Sequence, residues 1–102
     1  MSKAEQLFHD IAKEVKATEG KMFGALCLKA PNGKAAMFLK NDHASFKLDE
    51  KAEKEAMKLD GAKTFNPSGK KPMNGWTELS FDHADRWKAF AKSAMAFVKT
   101  LD

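Results

Sequence analysis

One cysteine, Cys27, stands among 102 residues, which excludes an internal disulfide and suits a reducing cytosol. Chelating groups are as sparse. Three scattered histidines, with no Cys-x-x-Cys, His-x-x-x-His or His-Glu-x-x-His spacing, make no recognisable ligand set, so neither metal nor cofactor is expected. No apolar run approaches the roughly 20 residues that span a bilayer, and the opening MSKAEQLFHD lacks an apolar signal segment. The expectation is a cytoplasmic protein without membrane contact. Arginine is nearly missing: of 18 basic residues all but Arg86 are lysine, which counts against a reader of base edges, where arginine forks dominate.

What is present fits one soluble domain spanning residues 1–102. Apolar residues make up 43% and charged residues 31%, too apolar for a disordered chain. The net charge of +4 is a modest excess, and the lysines are dispersed among carboxylates as on a solvated surface.

The organising stretch is Lys21 to Lys47. Mostly apolar runs, Phe23 to Leu28, Ala35 to Leu39 and Ala44 to Leu48, are separated by Pro31-Asn32-Gly33-Lys34 and by Asn41-Asp42. Both separators are turn chemistry, because Gly, Asn and Asp accept the positive φ of tight hairpins, so three antiparallel strands are expected. Leu26 and Leu28 fall on one face and Ala25 and Cys27 on the other. The first two strands are less polar on that second face than full solvation would require.

Ahead of this unit, Ser2 to about Thr18 reads as a helix. Ser2 and Glu5 form a capping-box pattern, Leu7, Phe8, Ile11 and Val15 make an apolar stripe, and Gly20 is expected to end it. His9 lies next to the stripe and reads as a half-exposed boundary residue. After the strands, Asp49 caps a helix from Glu50 to Leu59 with Gly61 beyond its end. Lys63 to Gly75, KTFNPSGKKPMNG, is irregular, with a short strand at Phe65 before it and a strand over Trp76 to Ser80 after it. Trp87, Phe90, Ala94, Phe97 and Leu101 then mark an amphipathic helix from about Asp82, expected to be the main cover of the sheet.

Catalytic chemistry finds little support. Cys27 lies inside an apolar strand, where free cysteine behaves as a small hydrophobe. His43 and His83 fall at element ends, the aspartates around His83 suit a helix start, and no carboxylate pair stands out, so the chain reads as no enzyme. The loop Asn66 to Pro72 has glycine and two lysines but not the spacing of a phosphate-binding loop, and its prolines remove backbone donors. It is nonetheless the first choice for a functional surface: Lys70, Lys71 and Trp76 set charge beside an aromatic on a loop. Met22, Met37 and Met73 read as core or rim filler, whereas an exposed Met95 would mark a partner surface.

Arranged in this order, the residues resemble the N-terminal domain of the TfoX/Sxy family of small bacterial competence regulators. The likeness runs from about Lys21 to Leu101. It rests on Met22-Phe23-Gly24, Asn32-Gly33-Lys34, Phe46-Lys47-Leu48-Asp49, Gly61, Phe65-Asn66-Pro67, Gly69-Lys70-Lys71-Pro72-Met73 and Trp76, in that order and spacing. It implies an α+β fold in the order α-β-β-β-α-β-β-α, with an antiparallel sheet of about five strands flanked by helices, like that of secretion chaperones. It implies no catalytic residue. The function expected is that of a non-enzymatic binding or regulatory domain acting through a protein partner, which includes a homodimer through the sheet or an edge strand. The alternative is a weak nucleic-acid-binding accessory domain using the Gly69–Lys71 loop.

Overall fold

The structure, a computed structural model, describes residues 3–22, 25–40, 42–64 and 75–100. The chain is α+β. Helix α1 (Lys3–Val15) is followed by strands β1 (Thr18–Met22), β2 (Ala25–Lys29), β3 (Ala35–Lys40) and β4 (His43–Lys47). Helix α2 (Glu50–Met57), strands β5 (Lys63–Thr64) and β6 (Trp76–Ser80), a single 3-10 turn (Phe81–His83) and helix α3 (Ala84–Val98) complete it. The strands form one antiparallel sheet in the order β1-β2-β3-β4-β6-β5, with the helices packed on one face. The class is as expected. The strand count is six because β1 is a strand where a helix end was expected.

That difference has a local cause. The apolar stripe of α1 stops at Val15, and the chain leaves the helix through Lys16, whose φ is 56°. The Ala17 N–H donates to the Ala12 carbonyl at 2.9 Å, and the Lys16 N–H to the Lys13 carbonyl at 3.4 Å. This is the paired hydrogen-bond pattern of a Schellman turn, with lysine at the position glycine normally holds. Gly20, read as the helix stop, lies instead inside β1 opposite Cys27.

The hairpins follow their turn residues. Between β2 and β3 the Gly33 N–H donates to the Ala30 carbonyl and the Ala30 N–H to the Lys34 carbonyl, both at 2.9 Å. Only Gly33 takes a positive φ, 83°, so the loop is a three-residue turn closed by a left-handed glycine. Asn32 then ties this loop to the far end of α3, its Nδ2 donating to the Val98 carbonyl at 2.9 Å. The β3–β4 turn contains Asp42 at φ 60°. Asp49 Oδ1 accepts from the Ala52 N–H at 2.8 Å and so starts α2, and Gly61, φ 79°, follows its end. Ser2, Phe65, Met73 and Leu101 lie outside the described residues.

The main core lies between helices and sheet, where Phe8 and Ile11 of α1, Trp87 and Val98 of α3, and Leu28, Met37, Phe46 and Leu79 of the strands are fully buried. Trp87 also donates from Nε1 to the Ser80 carbonyl at 3.2 Å, so its polar edge is matched. Truncating a residue such as Trp87 or Phe46 to alanine costs about 3–5 kcal/mol. Helix α2 buries only Ala56, with Ala52 and Leu59 half-buried against the core, which places it on the rim. Met95 is buried in this core. No helix among the described residues is long and apolar enough to cross a membrane.

Candidate binding surface

Strand pairing carries one row of positions across the sheet face opposite the helices. Gly20 faces Cys27, Cys27 faces Phe38, Phe38 faces Ser45, Ser45 faces Glu78 and Glu78 faces Lys63. Because facing residues share a side and neighbours along a strand alternate, this far face also holds Ala25, Lys29, Lys40, Lys47 and Trp76. Its centre is a second apolar cluster of Ala25, Cys27, Phe38 and Trp76, separate from the main core. Phe38 and Trp76 pack with ring centroids 4.7 Å apart and a tilt of 37°.

Of the three expected site residues, Lys70 and Lys71 lie outside the described residues. Trp76 is described, and only 7% of its surface is exposed. It stands on β6 opposite Lys47, one position after Gly75, so its ring fills the far-face cluster rather than lying open for stacking. Gly75 has φ 86°, and a Cβ there would lie 2.8 Å from Lys47 Nζ. The turn into β6 therefore requires glycine and brings the Lys47 amine close to the backbone.

Cys27 is fully buried in the same cluster. Burial pushes its thiol pKa up, opposed by the nearby Lys29 charge and by a backbone hydrogen bond from Gly20. A raised thiol pKa means little thiolate at neutral pH, so Cys27 is a packing residue, as its strand position suggests.

Charge on the far face is one-sided. Lys29, Lys40, Lys47 and Lys63 stand there with Glu78, whose carboxylate pairs with Lys63 at 3.3 Å. The helix-covered side of the β1 edge is mixed instead. Glu19 and Lys21 face Leu28 and Leu26 of β2, and Glu19 Oε1 lies 2.6 Å from His9 Nδ1 on α1. His9 is thus the half-exposed boundary residue expected of it. His83 Nε2 donates to the Asp60 carbonyl at 2.7 Å and ties the turn before α3 to the loop after α2.

A shallow groove of about 680 Å³ runs between α2 and α3, lined by residues that include Asp49, Ala52, Glu55, Ser93, Phe97 and Thr100. Two of its polar groups serve the fold: Asp49 caps α2, and the Thr100 hydroxyl donates to the Phe97 carbonyl at 2.6 Å. Among the described residues no three His, Cys, Asp or Glu side chains gather as a metal site.

Sequence reasoning missed β1 as a potential contact element. Its TEGKM sequence has neither the alternation nor the β-branched density of a strand. The signal that could have found it is the end of the α1 stripe at Val15, which leaves the following residues without a helical face to bury. The chain matches no protein-family model, no curated protein and no solved structure.

Proposed function

We propose that the chain is a small, non-enzymatic binding or regulatory module of the bacterial cytoplasm that acts through protein contacts, as its resemblance to the TfoX/Sxy N-terminal domain implies. The observation that carries this reading is the open edge of the sheet. β1 pairs with β2 over its whole length, and no described strand lies beyond it. A row of backbone N–H and C=O groups on such an edge is a template for an added strand.

A second reading, a weak nucleic-acid-binding accessory domain, is favoured by the lysines of the far face. Lys29, Lys40, Lys47 and Lys63 outnumber the one carboxylate described there, and the Lys70–Lys71 pair adds two charges shortly before Trp76 in sequence. Backbone-phosphate contacts of this kind are sequence-independent and strongly salt-dependent. The buried ring of Trp76 supplies no stacking platform, which weighs against it.

An amide NMR titration with a short DNA duplex at roughly 0.15 M salt separates the two. The protein-contact reading expects no shifts at Lys47, Lys70, Lys71, Gly75 and Trp76. Salt-sensitive shifts confined to these positions would put the nucleic-acid reading first and withdraw the other.

A further inference from the structure

We infer that the β1 edge is self-complementary and that its partner is a second copy of this chain, paired antiparallel about a two-fold axis at Gly20. The inference rests on the protein-contact reading and names its partner. β1 reads Thr18-Glu19-Gly20-Lys21-Met22. When two such strands run antiparallel with Gly20 facing Gly20, Glu19 of each copy stands opposite Lys21 of the other, and Thr18 opposite Met22. This is the one two-fold register that pairs all five residues. A shift that centres the axis on Glu19 sets carboxylate against carboxylate, and a shift that centres it on Lys21 sets ammonium against ammonium. Opposite charges directly across a strand pair stabilise it and like charges destabilise it, so the charge pattern selects the register as well as the partner.

The surroundings suit the pairing. Thr18, Glu19 and Lys21 are exposed. Gly20 is at the centre, where the absence of a side chain lets two backbones approach without steric demand. Glu19 and Lys21 lie on the helix-covered side of the sheet, so the two ion pairs form beside α1, and the Glu19 carboxylate can accept from His9 and from Lys21 of the second copy together. β1 has no proline and keeps a continuous register with β2, so two of the usual guards against strand addition are missing from it. The opposite edge is different: among the described residues β5 spans only Lys63–Thr64, which offers little backbone to template a partner. A five-residue strand pair buries less than a standard interface, so the dimer is a weak, concentration-dependent one.

The test is sedimentation equilibrium of the full chain from micromolar to millimolar concentration, in low salt. The expected result is a monomer–dimer equilibrium that weakens as salt screens the Glu19–Lys21 pairs. Glu19→Lys and Lys21→Glu each replace two attractive pairs by two repulsive ones and weaken self-association about tenfold or more. Mixing the two variants in equal amounts restores association. One variant then carries lysine at both positions and the other glutamate at both, so every facing charge pair in the mixed dimer is of opposite sign. Hydrogen exchange supplies a second readout, with the Thr18–Met22 amides slowing as concentration rises. Lys21→Glu leaves the His9–Glu19 contact in place, so it reports on pairing even where Glu19→Lys disturbs the fold. A chain that stays monomeric throughout overturns the inference, as does self-association indifferent to Lys21→Glu or a mixture no tighter than its components. A monomer that strand-adds a different polypeptide at β1 would overturn this inference while leaving the protein-contact reading standing, whereas the DNA titration tests that reading separately.

Discussion

The end of α1 yields a pair of substitutions whose effects differ in sign depending on where the helix stops. Lys16 holds a φ of 56°, and in the left-handed region a residue with a Cβ costs about 1–2 kcal/mol relative to glycine. Glycine returns part of this, roughly 0.5–1 kcal/mol, through its larger freedom in the unfolded chain. Lys16→Gly is therefore expected to stabilise the protein by about 0.5–1 kcal/mol, keeping the Ala17–Ala12 and Lys16–Lys13 hydrogen bonds. For a domain of this size the gain raises the melting temperature by roughly 2–8 °C and, at an m-value near 2 kcal/mol/M, the urea midpoint by about 0.25–0.5 M. Gly20→Ala is the counterpart. Gly20 is a strand residue, and a Cβ there would meet Cys27 Sγ and Lys29 Cε at 3.5 Å, an ordinary contact. Alanine is thus tolerated at Gly20 within about 0.5 kcal/mol of wild type or slightly better. Urea and thermal melts at micromolar protein measure both. If Lys16→Gly gives no gain while Gly20→Ala loses about 1 kcal/mol, the helix ends at Gly20 and the account of β1 fails.

Three other expectations follow from single contacts. Asn32→Ala removes the bond to the Val98 carbonyl and the one its Oδ1 accepts from the Lys34 N–H at 3.1 Å, and should cost about 1–2 kcal/mol in a urea melt. Asn32→Asp should lose at least as much, because it sets a carboxylate against the negative end of α3. The Thr77 hydroxyl is buried without a hydrogen-bond partner among the described residues, so Thr77→Val, which keeps the shape, should leave stability unchanged or raise it by about 1 kcal/mol; a clear loss would reveal a partner. Cys27 should resist iodoacetamide in the native state and react once the chain is unfolded. Its raised pKa also sets a sign for pH dependence. Above the ordinary thiol value of 9.0 the unfolded chain releases the thiol proton first, so stability is full below that pH and falls as pH rises toward the folded-state value. Cys27→Ala should remove that part of the alkaline loss, as urea melts at successive pH values would report.

How far the fold could be read from the residues depends on whether the signal is local. Pro31-Asn32-Gly33 and Asn41-Asp42 fix two hairpins because their φ preferences act over two or three residues. Asp49 and Gly61 bracket α2 in the same way. Trp87, Phe90, Ala94 and Phe97 mark α3 by period alone, although Phe97 is only half-buried. β1 was illegible for the opposite reason. A lysine takes a conformation that favours glycine, while the nearby glycine, the obvious stop signal, is consumed in a strand. The cost of Lys16 is borne because the reversal it makes lets β1 pair with β2 from Thr18 to Met22. Trp76 shows the same limit at the candidate surface. Beside Lys70 and Lys71 in sequence it reads as an exposed aromatic, but its neighbours in space are Phe38 of β3 and Lys47 of β4, brought there only by strand order.

The two edges of the sheet are protected by different means, and the difference bears on function. At β5 the described edge is only Lys63–Thr64, and its lysine is engaged with Glu78 at 3.3 Å, so little described backbone is offered. At β1 the edge is long, and its protection is the pair Glu19 and Lys21, which set two opposite charges two residues apart. An apolar strand arriving there would leave Lys21 without an opposite charge, while Glu19 keeps its contact with His9, and a uniformly charged strand would be repelled by one of the two. A strand with the opposite alternation would match both charges, and a second copy of β1 run antiparallel presents that alternation. On the proposed pairing, charge at this edge would act as a filter as well as a shield, admitting one alternation of charges and repelling others.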